Sequence, residues 1–108
     1  MSILNEPYKD HWQQGQYCCS ACGQVLFCST SKFDSGTGWP SFRVDMPNAT
    51  KTKLDTSHGM VRDELLCANC DEHLGHVFDD GVYCGDTHAE AGKRFCILSA
   101  ALKFSPSP

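Results

Sequence analysis

The sequence predicts a mainly β domain of short antiparallel strands behind a short N-terminal helix. Five apolar runs, at 17–28, 41–44, 59–67, 74–78 and 95–104, alternate with clusters of Gly, Pro, Asn, Asp and Ser. Strands joined by turns leave that pattern. The 108 residues match one domain, residues 1–108, at ~100–200 residues per domain. Two Cys-x-x-Cys pairs stand at the edges of predicted strands, where a cross-link matters because a chain this short buries only about two-thirds of its unfolded surface.

The first element is a helix over residues 4–14, with Asn5 as its cap, Pro7 in its first turn, and Tyr8 and Trp12 one turn apart on one face. The five runs follow as strands. Two stretches between them read as long loops: 45–57, which is polar, and 79–92, rich in Gly and Asp. Loops of that length in a small domain are often functional. Ser35-Gly36-Thr37-Gly38-Trp39-Pro40 reads as a tight turn that leaves Trp39 extended, because a residue before proline is pushed out of the helical region.

Composition excludes several classes. Hydrophobic residues make up 41% and charged residues 20%, which is neither disordered nor membrane-dominated. The net charge is −4 and no basic run exceeds Lys93-Arg94, so the electrostatic footprint of a nucleic-acid binder is missing. The opening MSILNEPYKD has no cationic segment followed by an apolar stretch, and nothing approaches the roughly 20 apolar residues of a membrane span. A cytoplasmic monomer is therefore expected, with neither nucleic acid nor membrane as partner.

Eight cysteines in such a chain point to metal binding or redox catalysis in a reducing compartment rather than to disulfides. Cys19-Ser20-Ala21-Cys22 and Cys67-Ala68-Asn69-Cys70 are two knuckles whose four thiolates suit a tetrahedral structural zinc. Two intervening residues let one tight turn aim both sulfurs at a single ion, and Gly23 supplies the turn's conformational freedom. Such a site has no open coordination position, so it staples the fold and does no chemistry.

Cys18, Cys28, Cys84 and Cys96 remain. In Arg94-Phe95-Cys96-Ile97-Leu98, strand alternation puts Arg94, Cys96 and Leu98 on one face. A guanidinium there favours the attacking thiolate, although a small buried hydrophobe in an apolar strand would read the same way. His73-Leu74-Gly75-His76-Val77-Phe78-Asp79-Asp80 combines imidazoles and carboxylates suited to proton transfer. His76 and Asp80 share a face if the segment is extended, and His73 joins them only if Gly75 marks a bulge. Structural histidines are the alternative. Trp39 either binds a soft apolar group or anchors its own loop.

GxYxCxxCGxxLF at 15–27, KFDSGTGWPSF at 32–42, HLGHVFDDG at 73–81 and GKRFCILSAALKF at 92–104 together resemble the B-type methionine sulfoxide reductases over nearly the whole chain. The resemblance implies two small antiparallel sheets, a four-cysteine zinc site, and reduction of methionine (R)-sulfoxide in proteins or peptides, with thioredoxin or another thiol as reductant. It further implies Cys96 as the nucleophile that becomes a sulfenic acid, and Arg94 as the partner of its thiolate. His73, His76 and Asp80 would surround the sulfoxide oxygen, and Trp39 would receive the substrate methyl group. Thr37 stands where the family commonly has its resolving cysteine, and Leu98 where many members have Asn. Chain position makes Cys28 the expected resolving thiol, with Cys84 and direct reduction by an external thiol as alternatives.

Overall fold

The computed structural model describes residues 6–89 and 91–107, which form nine strands in two antiparallel sheets. In the smaller sheet β1 (Gly15–Cys19) lies between β2 (Val25–Cys28) and β9 (Leu102–Pro106). The larger sheet runs β3 (Lys32–Phe33), β4 (Ser41–Phe42), β8 (Arg94–Ile97), β7 (His73–Phe78), β6 (Arg62–Cys67) and β5 (Thr50–Asp55). The run at 95–104 thus supplies two strands, because a 3₁₀ turn at Ser99–Ala101 carries the chain from one sheet to the other. No helix among the described residues is long and apolar enough to cross a membrane.

Period-two alternation sets which residues turn inward. In β1 the residues Gly15, Tyr17 and Cys19 are buried while Gln16 is exposed. Tyr17, Phe27 and Phe42 are completely buried and join the sheets. The Phe27 and Phe42 rings stack at 4.3 Å and 10°, and Tyr17 meets Phe42 edge-on at 5.1 Å. An aromatic pair of this kind contributes ~0.5–1.5 kcal/mol beyond its buried area. Truncating Phe42 to Ala would cost ~3–5 kcal/mol through lost burial and the cavity left behind.

Two expectations need correction. The stretch 45–57 is not all loop, since β5 occupies Thr50–Asp55. Its residues TKTKLD do not alternate because both faces are largely exposed on the outermost strand, and Lys51 and Lys53 are the charges that protect such an edge from stray pairing. The N-terminal helix is also absent from the described part of 4–14, where Pro7–Asp10 make only a turn. Tertiary partners take the groups a helix needs: the Tyr8 N–H donates to Ser99 Oγ, and the Lys9 carbonyl accepts from Lys32 Nζ. Asn5 lies outside the described residues.

Candidate functional site

The two knuckles share one local geometry. The Cys19 N–H donates to the Gln24 carbonyl (2.8 Å) and Gly23 N–H to the Cys19 carbonyl (2.8 Å). At the second, the Cys67 N–H donates to the Glu72 carbonyl (2.9 Å) and Asp71 N–H to the Cys67 carbonyl (2.9 Å). Each turn closes on a left-handed residue, Gly23 at φ +83° and Asp71 at φ +65°. Gly23 was legible in the sequence; Asp71 was not, because aspartate only tolerates that conformation. The four sulfurs lie within 4.8 Å of one another, with Cys19–Cys70 at 3.6 Å and Cys22–Cys67 at 3.7 Å. Tetrahedral coordination with ~2.3 Å metal–sulfur bonds sets sulfurs ~3.8 Å apart. The four cysteines are therefore arranged to hold one metal ion.

The second site is a hollow of about 410 Å³ on the larger sheet, where Thr37, Trp39, Arg62, His73, His76 and Cys96 converge with Gly75, Phe78, Arg94 and Leu98. That volume suits a small ligand or one side chain. Arg94, Cys96 and Leu98 all line it, as β8 alternation requires. The register in β7 carries the expected bulge: Leu65 opposes Gly75 but Leu66 opposes His73, so Leu74 is the extra residue. The bulge returns His73 to the His76 side, with the rings 5.5 Å apart. Only glycine fits at 75, since a Cβ there would lie 2.0 Å from the Cys96 carbonyl oxygen.

Electrostatics around Cys96 are mixed. Burial pushes its thiol up, while Arg94 and a hydrogen bond with the Thr37 hydroxyl pull it down and are outweighed. Arg94 is nearly buried, packs on Phe78 at 4.4 Å, and holds Asp80 through Nε–Oδ1 (2.8 Å) and Nη2–Oδ2 (3.1 Å). That guanidinium keeps the Asp80 carboxyl below its usual range. Asp80 is therefore not a partner of His76, as an extended 76–80 segment would have made it. The strand ends at Phe78 and the carboxylate turns to Arg94.

Sequence reasoning missed the carboxylates that do hold the histidines. Asp55 accepts from His76 Nε2 at 2.8 Å, and Glu64 from His73 Nδ1 at 2.7 Å. Asp55 also pairs with Arg62 at 3.3 Å, while Arg62 Nε is buried without a partner. Hydrogen bonds from Ser57, together with that from His76, depress the Asp55 carboxyl below its usual range. Glu64 and Arg62 alternate along β6 and were detectable by period; Asp55 was hidden by the absent signal of β5. Cys28 ends β2 in the smaller sheet, where Thr30 Oγ1 donates to its sulfur at 3.2 Å, and it lines a different hollow with Gly15 and Ser105.

A thiol in a hollow flanked by a cation, imidazoles held by carboxylates and an indole, with a metal-holding staple elsewhere, defines the class of cysteine-based oxidoreductases. The SelR domain model matches residues 2–106, and the chain belongs to that family, which includes the B-type peptide methionine sulfoxide reductases. It is 52% identical over 100 residues to "Peptide methionine sulfoxide reductase MsrB" of Thiobacillus denitrificans, covering 92% of this chain and 71% of the relative. The protein of that name from Leptospira interrogans is 47% identical over 105 residues, covering 96% and 75%. The Yippee-like domain of Mis18 superposes with a TM-score of 0.67 over 89% of this chain and 99% of that domain. At 18% identity that likeness concerns the fold alone.

Proposed function

We propose that this chain, acting as a single-domain monomer in the cytoplasm, reduces methionine (R)-sulfoxide in oxidised proteins or peptides to methionine. The convergence of Cys96 with Thr37, Arg94, His73, His76 and Trp39 in one hollow carries the reading, and the names of the relatives support it. Cys96 Sγ attacks the sulfoxide sulfur while the oxide is protonated, since a bare oxide is a poor leaving group. The protonated oxide leaves the substrate sulfur as water, and a water then attacks Cys96 Sγ and breaks the transient bond between the two sulfurs, so methionine departs reduced and Cys96 is left oxidised as a sulfenic acid.

The chain's own groups divide the work. Arg94 offers positive charge to the developing thiolate. Asp55 and Glu64 fix the two imidazoles, leaving His76 Nδ1 and His73 Nε2 as the nitrogens for proton transfer to the oxide. Asp80 orients Arg94. Trp39 takes the methyl group against its indole, a favourable contact for sulfur-bearing groups. Zinc held by Cys19, Cys22, Cys67 and Cys70 would cross-link the two turns and contribute no step. An external dithiol such as thioredoxin returns the enzyme to its thiol state.

Turnover of the separated R and S epimers with dithiothreitol tests the proposal. Methionine should form from the R epimer alone, and Cys96→Ser should form none. Equal rates on both epimers, or retained turnover in the variant, would overturn it.

A further inference from the structure

We propose that Arg62 anchors the substrate's main chain, its guanidinium donating to the peptide carbonyl of the oxidised methionine whose side chain fills the hollow. The inference rests on the sulfoxide-reducing reading of that hollow and adds the group that recognises a polypeptide there.

The chain has three arginines, and two are well occupied. Arg43 makes three hydrogen bonds to Asp86 and one to the Thr30 carbonyl. Arg94 grips Asp80 with two and packs on Phe78. Arg62, which lines the hollow, makes one among the described residues, from Nη2 to Asp55 Oδ2 at 3.3 Å. A guanidinium offers five N–H donors, so most of this fork is uncommitted. Its Nε is buried without an acceptor, an arrangement that native folds rarely keep without a functional reason. Arg62 is not needed to hold the imidazole either. The Ser57 N–H donates to Asp55 Oδ1 at 2.9 Å, which fixes the carboxylate through its own turn and leaves Oδ2 to His76 at 2.8 Å.

Strand register places Arg62 within reach of the substrate's main chain. Glu64, His76 and Cys96 form one row across β6, β7 and β8. Arg62 stands two residues from Glu64 on the same face, opposite Asp55. At ~3.3 Å per residue and ~4.8 Å between strands, its α-carbon is about 12 Å from that of Cys96. An arginine side chain reaching in and a methionine side chain reaching out together span that gap. In the proposed reaction Cys96 meets the substrate sulfur, the histidines its oxygen and Trp39 its methyl group. The remaining substituent is the carbon chain that leads to the peptide backbone, and Arg62 is the cation of the hollow with donors to spare for the carbonyl there.

The charge balance selects a neutral acceptor. Asp55, 3.3 Å away and held ionised by its hydrogen bonds, already supplies the countercharge to Arg62. A carbonyl accepts from the uncommitted N–H groups without bringing a second anion beside Asp55, as a carboxylate would.

Dithiothreitol-supported turnover of the metal-loaded protein is compared on two substrates: N-acetyl-methionine-(R)-sulfoxide methylamide, and (R)-methyl propyl sulfoxide, which is the same side chain without a main chain. Wild type should reduce both, the amide faster. Arg62→Gln should lose about tenfold or more in kcat/KM on the amide, through KM, because a charge-assisted hydrogen bond to the substrate is gone. On methyl propyl sulfoxide it should stay within about twofold of wild type, since that substrate has no main chain to hold. Arg62→Lys, which keeps a cation beside Asp55, should show the same split to a smaller degree, and it carries the comparison if the Gln variant lacks a cooperative thermal transition. Equal losses on both substrates, or no loss on either, would overturn the anchor while leaving the Cys96 chemistry in place. Failure of wild type to reduce the amide would instead overturn the reading of the hollow, and is seen before any variant is made.

Discussion

The four-cysteine corner and the Cys96 hollow both depend on cysteine sulfur, yet they are specified differently. In the corner each sulfur pair comes from one tight turn, closed by its own backbone hydrogen bonds and by a left-handed residue, Gly23 or Asp71. Only the meeting of the two turns is long-range. The hollow depends on β8 for Cys96 and Arg94, a bulged β7 for two histidines, β5 and β6 for their carboxylates, and the 35–40 loop for Thr37 and Trp39. Local turns suffice for a closed metal site with one repeated ligand, whereas a reactive thiol needs unlike groups that no short segment can supply.

The largest expected effect lies in the corner. Structural zinc contributes ~10–16 kcal/mol in small metal-dependent folds against ~5–15 kcal/mol total stability for a domain. Chelation, or Cys67→Ser, should therefore unfold the chain, as read by loss of the cooperative thermal transition. Cys96→Ser should leave that transition in place. A folded, active protein without metal breaks the comparison.

Next in size is the general acid proposed for the hollow. His76→Asn should slow sulfoxide reduction by ~10²–10⁴, the range for a positioned general acid, and Asp55→Asn should slow it less, since Asp55 acts through His76. Rates unchanged in both variants would remove the imidazole from the reaction.

Glycine substitutions sharpen the contrast further. Gly75→Ala drives a Cβ into the Cys96 carbonyl, and overpacking of this kind costs ~1–3 kcal/mol; it should also lower turnover, because it displaces Cys96 itself. Gly23→Ala meets no atom but is strained at φ +83°, at ~1–2 kcal/mol, and should lower the melting temperature while sparing the rate constant. Equal effects of both on turnover would contradict the separation of the two regions.

The smallest effect concerns pH. Burial raises the Cys96 pKa over the opposing pull of Arg94 and Thr37, so less thiolate is present at neutral pH than for an ordinary cysteine near ~8.5. Alkylation of Cys96 by iodoacetamide, followed on the peptide, should accelerate through a midpoint above that value, and Arg94→Gln should move the midpoint higher. A midpoint at or below the ordinary value would mean that the guanidinium prevails over burial.

Much of this was legible in the chain. The turn residues and apolar runs located most strands, and the paired knuckles named the four metal-holding cysteines because ligand spacing within a turn is a local property. Alternation aligned Arg94, Cys96 and Leu98, and Gly75 announced the bulge. What failed shares one cause: the groups involved answer to partners distant in sequence. The N-terminal turn yields its hydrogen bonds to Ser99 and Lys32, and β5 is a strand because β6 pairs with it, despite having no buried face of its own. Sequence alone determined which residue types are present and which face of a strand each takes. Tertiary structure decided that His76 leans on Asp55 and that Asp80 turns to Arg94. The physical reason is that side-chain pairing is settled by distance in space, and strand order, which no local period encodes, sets that distance.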